Sequence, residues 1–271
     1  MAKRRLRLVR GMITLASDFG SPYPAAMRGV LLERDPDARL VDVSHELPRQ
    51  DVPGAAFWMR EVVPYFPPAV HLVVVDPGVG TDRAAIAVAA GEHVFVAPDN
   101  GVVVPAAREL AGENSDGDGQ GLRVWEIDDA DAASSTFHGR DVFAPAAGDL
   151  HRLGIEEFAA LDSVERVDDF ETLSLPEATP TSYGADGEVL TVDDFGNVIT
   201  NVPGGFLEGV ETVRVNGQAV PAVETFAGVP PGQWLATVGS HGYVECDVNR
   251  GRGDEAFGLE PGDDVVLERV E

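Results

Sequence analysis

The sequence predicts an α/β chain in two parts: an N-terminal α/β layered domain with a mostly parallel sheet, followed by a smaller C-terminal β-barrel-like domain. Three observations predict it. Apolar strand-like runs alternate with helix-spaced segments from residue 12 to about 155, the pattern of a layered α/β unit. One of those runs, "VHLVVVD" at 70–76, is apolar without alternation, as expected for a strand buried on both faces. From residue 188 the chain changes to short β-rich runs separated by turn residues, which suggests a small barrel or sandwich. A length of 271 residues suits two cores. We place the boundary near 175. That gives a basic extension at 1–11, expected to be flexible, the α/β domain at 12–174 and the barrel-like domain at 175–271.

The elements follow in order. "MITLA" (12–16) reads as a strand running into the loop "SDFGSPYP". Residues 25–34 carry apolar positions at helical spacing and stop before Asp35-Pro36, because proline disfavours helix in the residue before it. "RLVDVS" (39–44) is a second strand, and "GAAFWMREVVPYF" (54–66) a helix ended by Pro67-Pro68. After the buried strand at 70–76, "AAIAVAA" and "HVFVAP" within 84–98 form a strand pair. "GVVVPAAREL" (101–110) is helical, with Pro105 marking an uncertain start. "GENSDGDGQG" (112–121) is a solvated loop; its "DGDG" lacks the ligand spacing and closing glutamate of a calcium loop. The later strands are "EVLTVDD", "NVITNV", "ETVRVNG", "QWLATVG", "GYVECDV" and "DDVVLERV".

Composition narrows the function classes. Acids outnumber bases 46 to 20, a formal charge of −26, so phosphates are repelled and nucleic acid is excluded as a partner. No run of 18 apolar residues exists, which excludes a helical membrane span. "MAKRRLRLVRG" has no apolar h-region, so a signal peptide is not expected, and Met12 is an alternative start. The single cysteine, Cys246, excludes a disulfide framework and a cysteine zinc site, and fits a cytoplasmic setting. The acids are dispersed, and Lys3 is the only lysine. That pattern resembles proteins adapted to molar salt, where self-repulsion is screened over about 3 Å.

Several familiar fingerprints are missing: no G-x-G-x-x-G, no G-x-x-x-x-G-K-[ST], no H-E-x-x-H, and no G-x-S-x-G around Ser17 or Ser240. Three stretches carry chemistry instead. In "VVVDPGVGTDR" a buried strand runs into Asp76, a glycine-rich loop follows, and Arg83 lies seven residues on, able to fold back. The simpler alternative is a strand-end turn with a surface ion pair. "LASDFG" repeats the pattern with Asp18, which can accept ribose hydroxyls or cap a turn. "VDDFGNVITN" packs an acid, Phe195, a glycine and Asn197 between two strands, as a hairpin turn or as a face for a flat ligand. Taken alone, His138 in "STFHGRD" reads as a core histidine, and His45, His71, His93 and His151 keep that reading.

Read together, "ITLASDFG", "VDVSHELPRQD", "VVDPGVGTDR", "PDNG", "SSTFHGRDVFAP", "VDDFGNVITN" and "VGSHGYVECDVNRG" occur in an order that resembles the S-adenosylmethionine hydroxide adenosyltransferase family, relatives of the fluorinase and chlorinase. The resemblance runs from about Met12 to the C-terminus. It implies hydrolysis of S-adenosyl-L-methionine to adenosine and L-methionine without metal or other cofactor. It also implies a homotrimer whose sites lie between the N-terminal domain of one subunit and the C-terminal domain of the next.

By position, the resemblance implies that Asp76, Arg83 and His138 prepare the water. Asp18 then holds the ribose hydroxyls, Asp193 lies near the methionine ammonium, and Phe195 and Asn197 take the adenine. Ser240 meets the methionine carboxylate, and Val248 and Arg250 contact adenine through their backbone. His241 departs from the arginine of the halogenating relatives, and Arg250 is larger than the usual residue there.

The chemistry explains the need for these groups. A sulfonium leaves as neutral methionine, so the leaving group needs no acid; the nucleophile is the difficulty, because bulk water has a pKa of about 15.7. Asp76 and His138 are expected to share orientation and deprotonation of the water, with Arg83 stabilising developing hydroxide. The alternatives are a halide-using synthase of 5′-halo-5′-deoxyadenosine and a non-catalytic binder of S-adenosylmethionine or adenosine. The charge pattern yields its own prediction. The thermal midpoint should rise by more than about 5 °C between 0.1 M and 2 M KCl as self-repulsion is screened. A midpoint that stays level or falls contradicts the high-salt reading.

Overall fold

The computed structural model describes residues 11–112, 122–128, 134 and 136–270. The expected flexible extension therefore lies outside the described residues except for Gly11, and so does most of the expected loop at 112–121. The chain divides into two compact units at Ser174–Leu175.

The first unit has a seven-stranded sheet built from β1 (Ile13–Ser17), β2 (Leu40–Ser44), β3 (Val70–Val74), β4 (Ala85–Ala90), β5 (His93–Pro98), β6 (Arg123–Ile127) and β7 (Val164–Val167). Its order is β2-β1-β3-β5-β4-β6-β7. Three strand pairs are parallel (β1 with β2, β1 with β3, β3 with β5) and three antiparallel, so the parallel half is the one that begins at β2. The antiparallel half starts at the β4–β5 hairpin, where Ala90 faces His93 across a Gly91-Glu92 turn.

Helices cover both faces. The helix α1 (Tyr23–Arg34) packs Met27 and Leu31 with Ile13, Leu15, Val70, Leu72 and Val74. On the other face α2 (Val52–Val62) and α3 (Val104–Ala111) pack Ala55, Met59 and Val104 with Ala16, Val73, Val75 and Phe95. Successive residues of β3 thus enter opposite cores, which is why its sequence does not alternate. The helix starts follow local chemistry. Asp51 accepts the Gly54 N–H at the head of α2, two residues earlier than the sequence suggested. α3 starts only at Val104, with Pro105 in its first turn, where a missing N–H costs nothing. α4 (Ala144–Leu153) and α5 (Ile155–Phe158) complete the layer beside α1.

The second unit is an antiparallel sheet in the order β12-β11-β15-β9-β10-β14-β13, with the two-residue β8 (Thr179–Pro180) beside β9. Its strands are β9 (Gly184–Val192), β10 (Val198–Pro203), β11 (Thr212–Val215), β12 (Gln218–Pro221), β13 (Trp234–Val238), β14 (Tyr243–Val248) and β15 (Asp264–Arg269). A bridge between Ala222 and Ala236 brings the two ends together, making the sheet barrel-like. Valines 189, 198, 213, 215, 244 and 265 fill it together with Cys246, whose thiol pKa burial pushes up. The β11–β12 turn is Asn216-Gly217, both at positive φ (48° and 84°), the geometry that suits a tight hairpin.

Two acids on β14, Glu245 and Asp247, are buried beside this apolar filling. Asp247 is fully buried, and neither carboxylate oxygen has a hydrogen-bond partner among the described residues. Burial, helped by the neighbouring Glu245 and Asp193, pushes its pKa up to about 8. The folded chain therefore keeps a proton that the unfolded chain loses near pH 4, and stability falls as pH rises between those values. Asp247→Asn should raise the thermal midpoint by several degrees at pH 8 and change it little at pH 4, read by scanning calorimetry. A variant equal to the parent at both pH values refutes this.

Candidate active site

β1 lies between β2 and β3, with α1 on one face and α2 on the other. The carboxyl ends of β1 and β3 thus flank a topological switch point, where an open α/β sheet leaves a crevice. β1 and β3 run in parallel register, Ser17 opposite Val74, so Asp18 and Asp76 emerge at the same edge. Between them opens a cleft of about 260 Å³ lined by Asp18, Phe19, Arg49, Asp76, His138 and others.

Arg83 folds back across the glycine-rich loop as its spacing suggested. Its Nε donates to Asp76 Oδ1 at 3.1 Å and its Nη2 to Oδ2 at 2.5 Å, a bidentate pair. Nη1 donates to the Ala84 carbonyl at 2.7 Å. The Asp76 and Arg83 side chains are 7% and 9% exposed, so this is not the surface ion pair of the simpler alternative. The guanidinium also lies 5.1 Å from the centre of the buried Phe143 ring. Asn100 of "PDNG" donates to the Val75 carbonyl, tying the end of β5 to the residue before Asp76.

His138 arrives from the far side of the sequence. It stands at the head of a π-helical turn, Gly139–Phe143, that leads into α4. Gly139 is packed closely there, and a Cβ would sit 3.0 Å from Met27 Sδ and from the Phe137 ring. Arg83 Nη2 reaches His138 Nδ1 at 3.2 Å. A guanidinium only donates, so Nδ1 accepts and the ring hydrogen sits on Nε2. That narrows the shared-labour expectation. In this arrangement the imidazole donates and orients, and the Asp76 carboxylate keeps free lone pairs for a water proton.

Asp18 lines the same cleft, and its Oδ2 accepts the Gln50 N–H at 2.7 Å. Behind it, Ser17 Oγ lies 2.7 Å from His45 Nδ1 and 3.0 Å from the Phe19 carbonyl, while His45 Nε2 meets Asp42 at 3.1 Å. Ser17 is fully buried, so this serine-histidine-aspartate chain offers no nucleophile. It holds the turn that carries Asp18. The other histidines are structural as read. His71 bridges Thr14 and His93 with its pKa lowered by burial to about 3, and His151 meets Asp35 at 2.9 Å.

The C-terminal candidates form a separate cleft within their own unit. Phe195, Asn197, Phe226, Val248, Asn249, Arg250 and Arg252 line it. The β9–β10 connection is a hairpin turn whose Phe195 and Asn197 line this cleft. Asp193 Oδ1 accepts the N–H groups of Phe195 and Asn197, both at 2.9 Å, and its Oδ2 accepts Asn197 Nδ2 at 3.0 Å. Asp193 therefore fixes the Asn197 amide and leaves the Phe195 ring 78% exposed. Gly196, at φ 86°, is required because a Cβ would meet Asp254 and Arg252 within 2.8 Å. Asp193 and Ser240 line neither cleft; Ser240 is exposed in the turn between β13 and β14. His241 is held by Glu245 through Nε2 at 2.9 Å and receives the Tyr243 N–H on Nδ1. Among the described residues, no group of three His, Cys, Asp or Glu is placed to hold a metal ion.

Sequence models of the SAM hydroxide adenosyltransferase N-terminal and C-terminal domains match residues 13–159 and 187–266. The chain belongs to the SAM hydroxide adenosyltransferase family. A relative from Salinispora tropica, named (R)-S-adenosyl-L-methionine hydrolase, is 42% identical over 93% of this chain and 95% of its own. One of the same name from Thermus thermophilus is 43% identical over 93% and 97%. A crystal structure of an uncharacterized conserved protein from Thermotoga maritima matches with TM-score 0.80 and 31% identity, over 94% of this chain and all of that one. This family member's two clefts fall one within each matched domain.

Sequence reasoning passed over Phe19, Tyr23, Arg49 and Phe137 in the first cleft and Phe226 and Asn249 in the second. Phe19, Arg49, Phe137 and Asn249 stand inside quoted motifs, which was the available signal; Tyr23 and Phe226 had none. The Asp76–Arg83 pair can be weighed directly. Arg83→Gln should lower unfolding stability by about 3–5 kcal/mol, because it strands a buried carboxylate. Adding Asp76→Asn should recover part of that loss in a double-mutant cycle by urea unfolding; strictly additive losses contradict a direct pair.

Proposed function

We infer that this chain hydrolyses S-adenosyl-L-methionine to adenosine and L-methionine, with water attacking the ribose C5′. The observation that carries the reading is that Asp76 and His138 line one cleft at the switch point and Arg83 bonds to both, in a chain whose relatives are named for this hydrolysis. The first cleft suits the ribose and sulfonium, with Asp18 taking the ribose hydroxyls. The second suits adenine: Phe195 offers a flat exposed face, and Asn197 retains one N–H and its carbonyl for an adenine edge. A cleft of about 260 Å³ is small for the whole substrate, which favours sharing it between subunits of a homotrimer. We extend the reading to a cytoplasmic enzyme of a high-salt cell that uses no cofactor.

The step balances without an acid. The C5′–S bond breaks with its electron pair going to sulfur, which leaves as neutral methionine. The C5′–O bond forms from water, and the water proton passes to the Asp76 carboxylate and on to solvent. His138, donating from Nε2, and the carboxylate fix the water in line with the C5′–S bond. Arg83 keeps Asp76 in place and offsets the charge that develops on oxygen.

Incubation with S-adenosylmethionine in concentrated KCl, followed by chromatography, should yield adenosine and methionine in equal amounts. Both sulfonium epimers should be supplied, since the relatives are named for the (R) form. Asp76→Asn should cut kcat by about 10²–10⁴-fold, the usual contribution of a positioned base. Appearance of 5′-chloro-5′-deoxyadenosine would instead favour halide chemistry, and binding without turnover would favour a passive binder.

A further inference from the structure

We propose that three aromatic rings, Phe19, Tyr23 and Phe137, form the seat of the sulfonium in the first cleft. The proposal rests on the hydrolase reading and deepens it by naming the residues that tell a sulfonium from a neutral thioether.

A sulfonium is a cation with no N–H or O–H. It gives no hydrogen bond, so a protein recognises it by negative charge or by the faces of aromatic rings. The two carboxylates of the cleft are engaged elsewhere. Both Asp76 oxygens are gripped by Arg83, whose charge offsets that of the carboxylate, and Asp18 Oδ2 accepts the Gln50 N–H. In-line attack adds a constraint of place. The sulfur stands on the far side of C5′ from the water, roughly 5 Å from the attacking oxygen when the reacting atoms are about 3–3.5 Å apart. Its seat therefore belongs in the cleft that holds Asp76 and His138, but away from the Asp76 carboxylate.

The three rings meet that description. Phe19 follows Asp18 just past the end of β1, Tyr23 opens α1, and Phe137 precedes His138; all three line the first cleft. The ring centres are 6.0 Å apart for Phe19 and Tyr23, 6.1 Å for Phe19 and Phe137, and 5.2 Å for Tyr23 and Phe137. The corresponding planes cross at 85°, 83° and 79°. Each ring thus stands nearly perpendicular to the other two, as walls meet at a corner, and one cation can lie within about 6 Å of all three centres. The rings are not hidden in the core: Tyr23 is 53% exposed, and Phe19 and Phe137 are half-buried. Phe137 already meets one cation, the Arg140 guanidinium at 5.3 Å. Arg140 is paired with Asp141 and does not line the cleft.

Such a corner acts on the ground state. Positive charge leaves the sulfur as the C5′–S bond breaks, so the rings hold the sulfonium more tightly than the transition state and let neutral methionine go. Removing a ring should raise KM without lowering kcat.

The test compares S-adenosylmethionine with its neutral thioether, S-adenosylhomocysteine, on the full chain, Tyr23→Leu and Tyr23→Phe. Kd is read by calorimetry in an Asp76→Asn background, where turnover is expected to be slow, and kcat and KM are read with Asp76 in place. Tyr23→Leu should weaken S-adenosylmethionine by about 3–30-fold, the range for one cation–π contact, and leave the thioether's Kd within about twofold. Tyr23→Phe should match the parent for both probes, because the ring and not the hydroxyl makes the contact. In turnover, Tyr23→Leu should raise KM by a similar factor with kcat unchanged or higher. Equal weakening of both probes, weakening of neither, a loss that Tyr23→Phe shares with Tyr23→Leu, or a fall in kcat at constant KM overturns the assignment. If the parent binds S-adenosylmethionine without consuming it, the hydrolase reading fails while the Kd comparison still decides the rings. If the parent does not bind it, both readings fall.

Discussion

The reactive end of the first unit depends on one guanidinium. Arg83 joins the end of β3 at Asp76 and the start of β4 at Ala84 to a segment remote in sequence, the π-helical turn headed by His138. Its charge is nearly out of water, so it has to be satisfied by protein groups, and four contacts do this. The same contacts set the chemistry. By donating to Nδ1 the guanidinium selects the imidazole tautomer, and by gripping both Asp76 oxygens it aligns the carboxylate without consuming all its lone pairs. A lysine could neutralise Asp76, but it could not hold a fork and reach a third group at once.

Much of this was legible because the physics is local. A continuous apolar run means burial on both faces, and "VHLVVVD" becomes β3 with its residues split between two cores. A carboxylate at the end of such a strand has to meet solvent or a ligand, so Asp76 and Asp18 could be picked from sequence. The "NVITNV" and "GYVECDV" runs became β10 and β14 for a similar reason, since alternating apolar residues fill a barrel. What stayed hidden depended on distant partners. β7 reads "VERV", two charges in four residues, and is a strand because β6 supplies its ladder. The π turn at Gly139–Phe143 packs Gly139 closely against Met27, which no helical periodicity encodes. The role of Asp193 was hidden likewise. Asp193 makes three bonds to its own turn and fixes the Asn197 amide, an arrangement that the sequence does not display.

The two clefts differ in charge. The first, at the sheet's switch point, combines carboxylates with a guanidinium and suits a small, multiply charged fragment. The second pairs an exposed aromatic ring with an oriented amide and suits a flat, neutral, hydrogen-bonding one. A nucleoside joined to an amino acid through a sulfonium has those two ends. The acidic background attracts the two cationic groups of such a substrate, its sulfonium and its ammonium.

That acidic background puts a constraint on the mechanism itself. At low salt the surrounding carboxylates oppose any negative charge developing on the attacking oxygen; at high salt the exposed ones are screened, while Arg83, nearly buried, is not. Salt therefore weakens the long-range repulsion and leaves the short-range stabilisation intact. The cost of the arrangement falls on binding, because the same salt screens the acidic chain from a cationic substrate. A chain built this way gains in the chemical step as salt rises and gives up part of its pull on the sulfonium, so kcat and KM should climb together. The pairing follows from burial: the guanidinium that acts at short range is sealed behind Asp76, and the attraction that salt weakens acts through solvent.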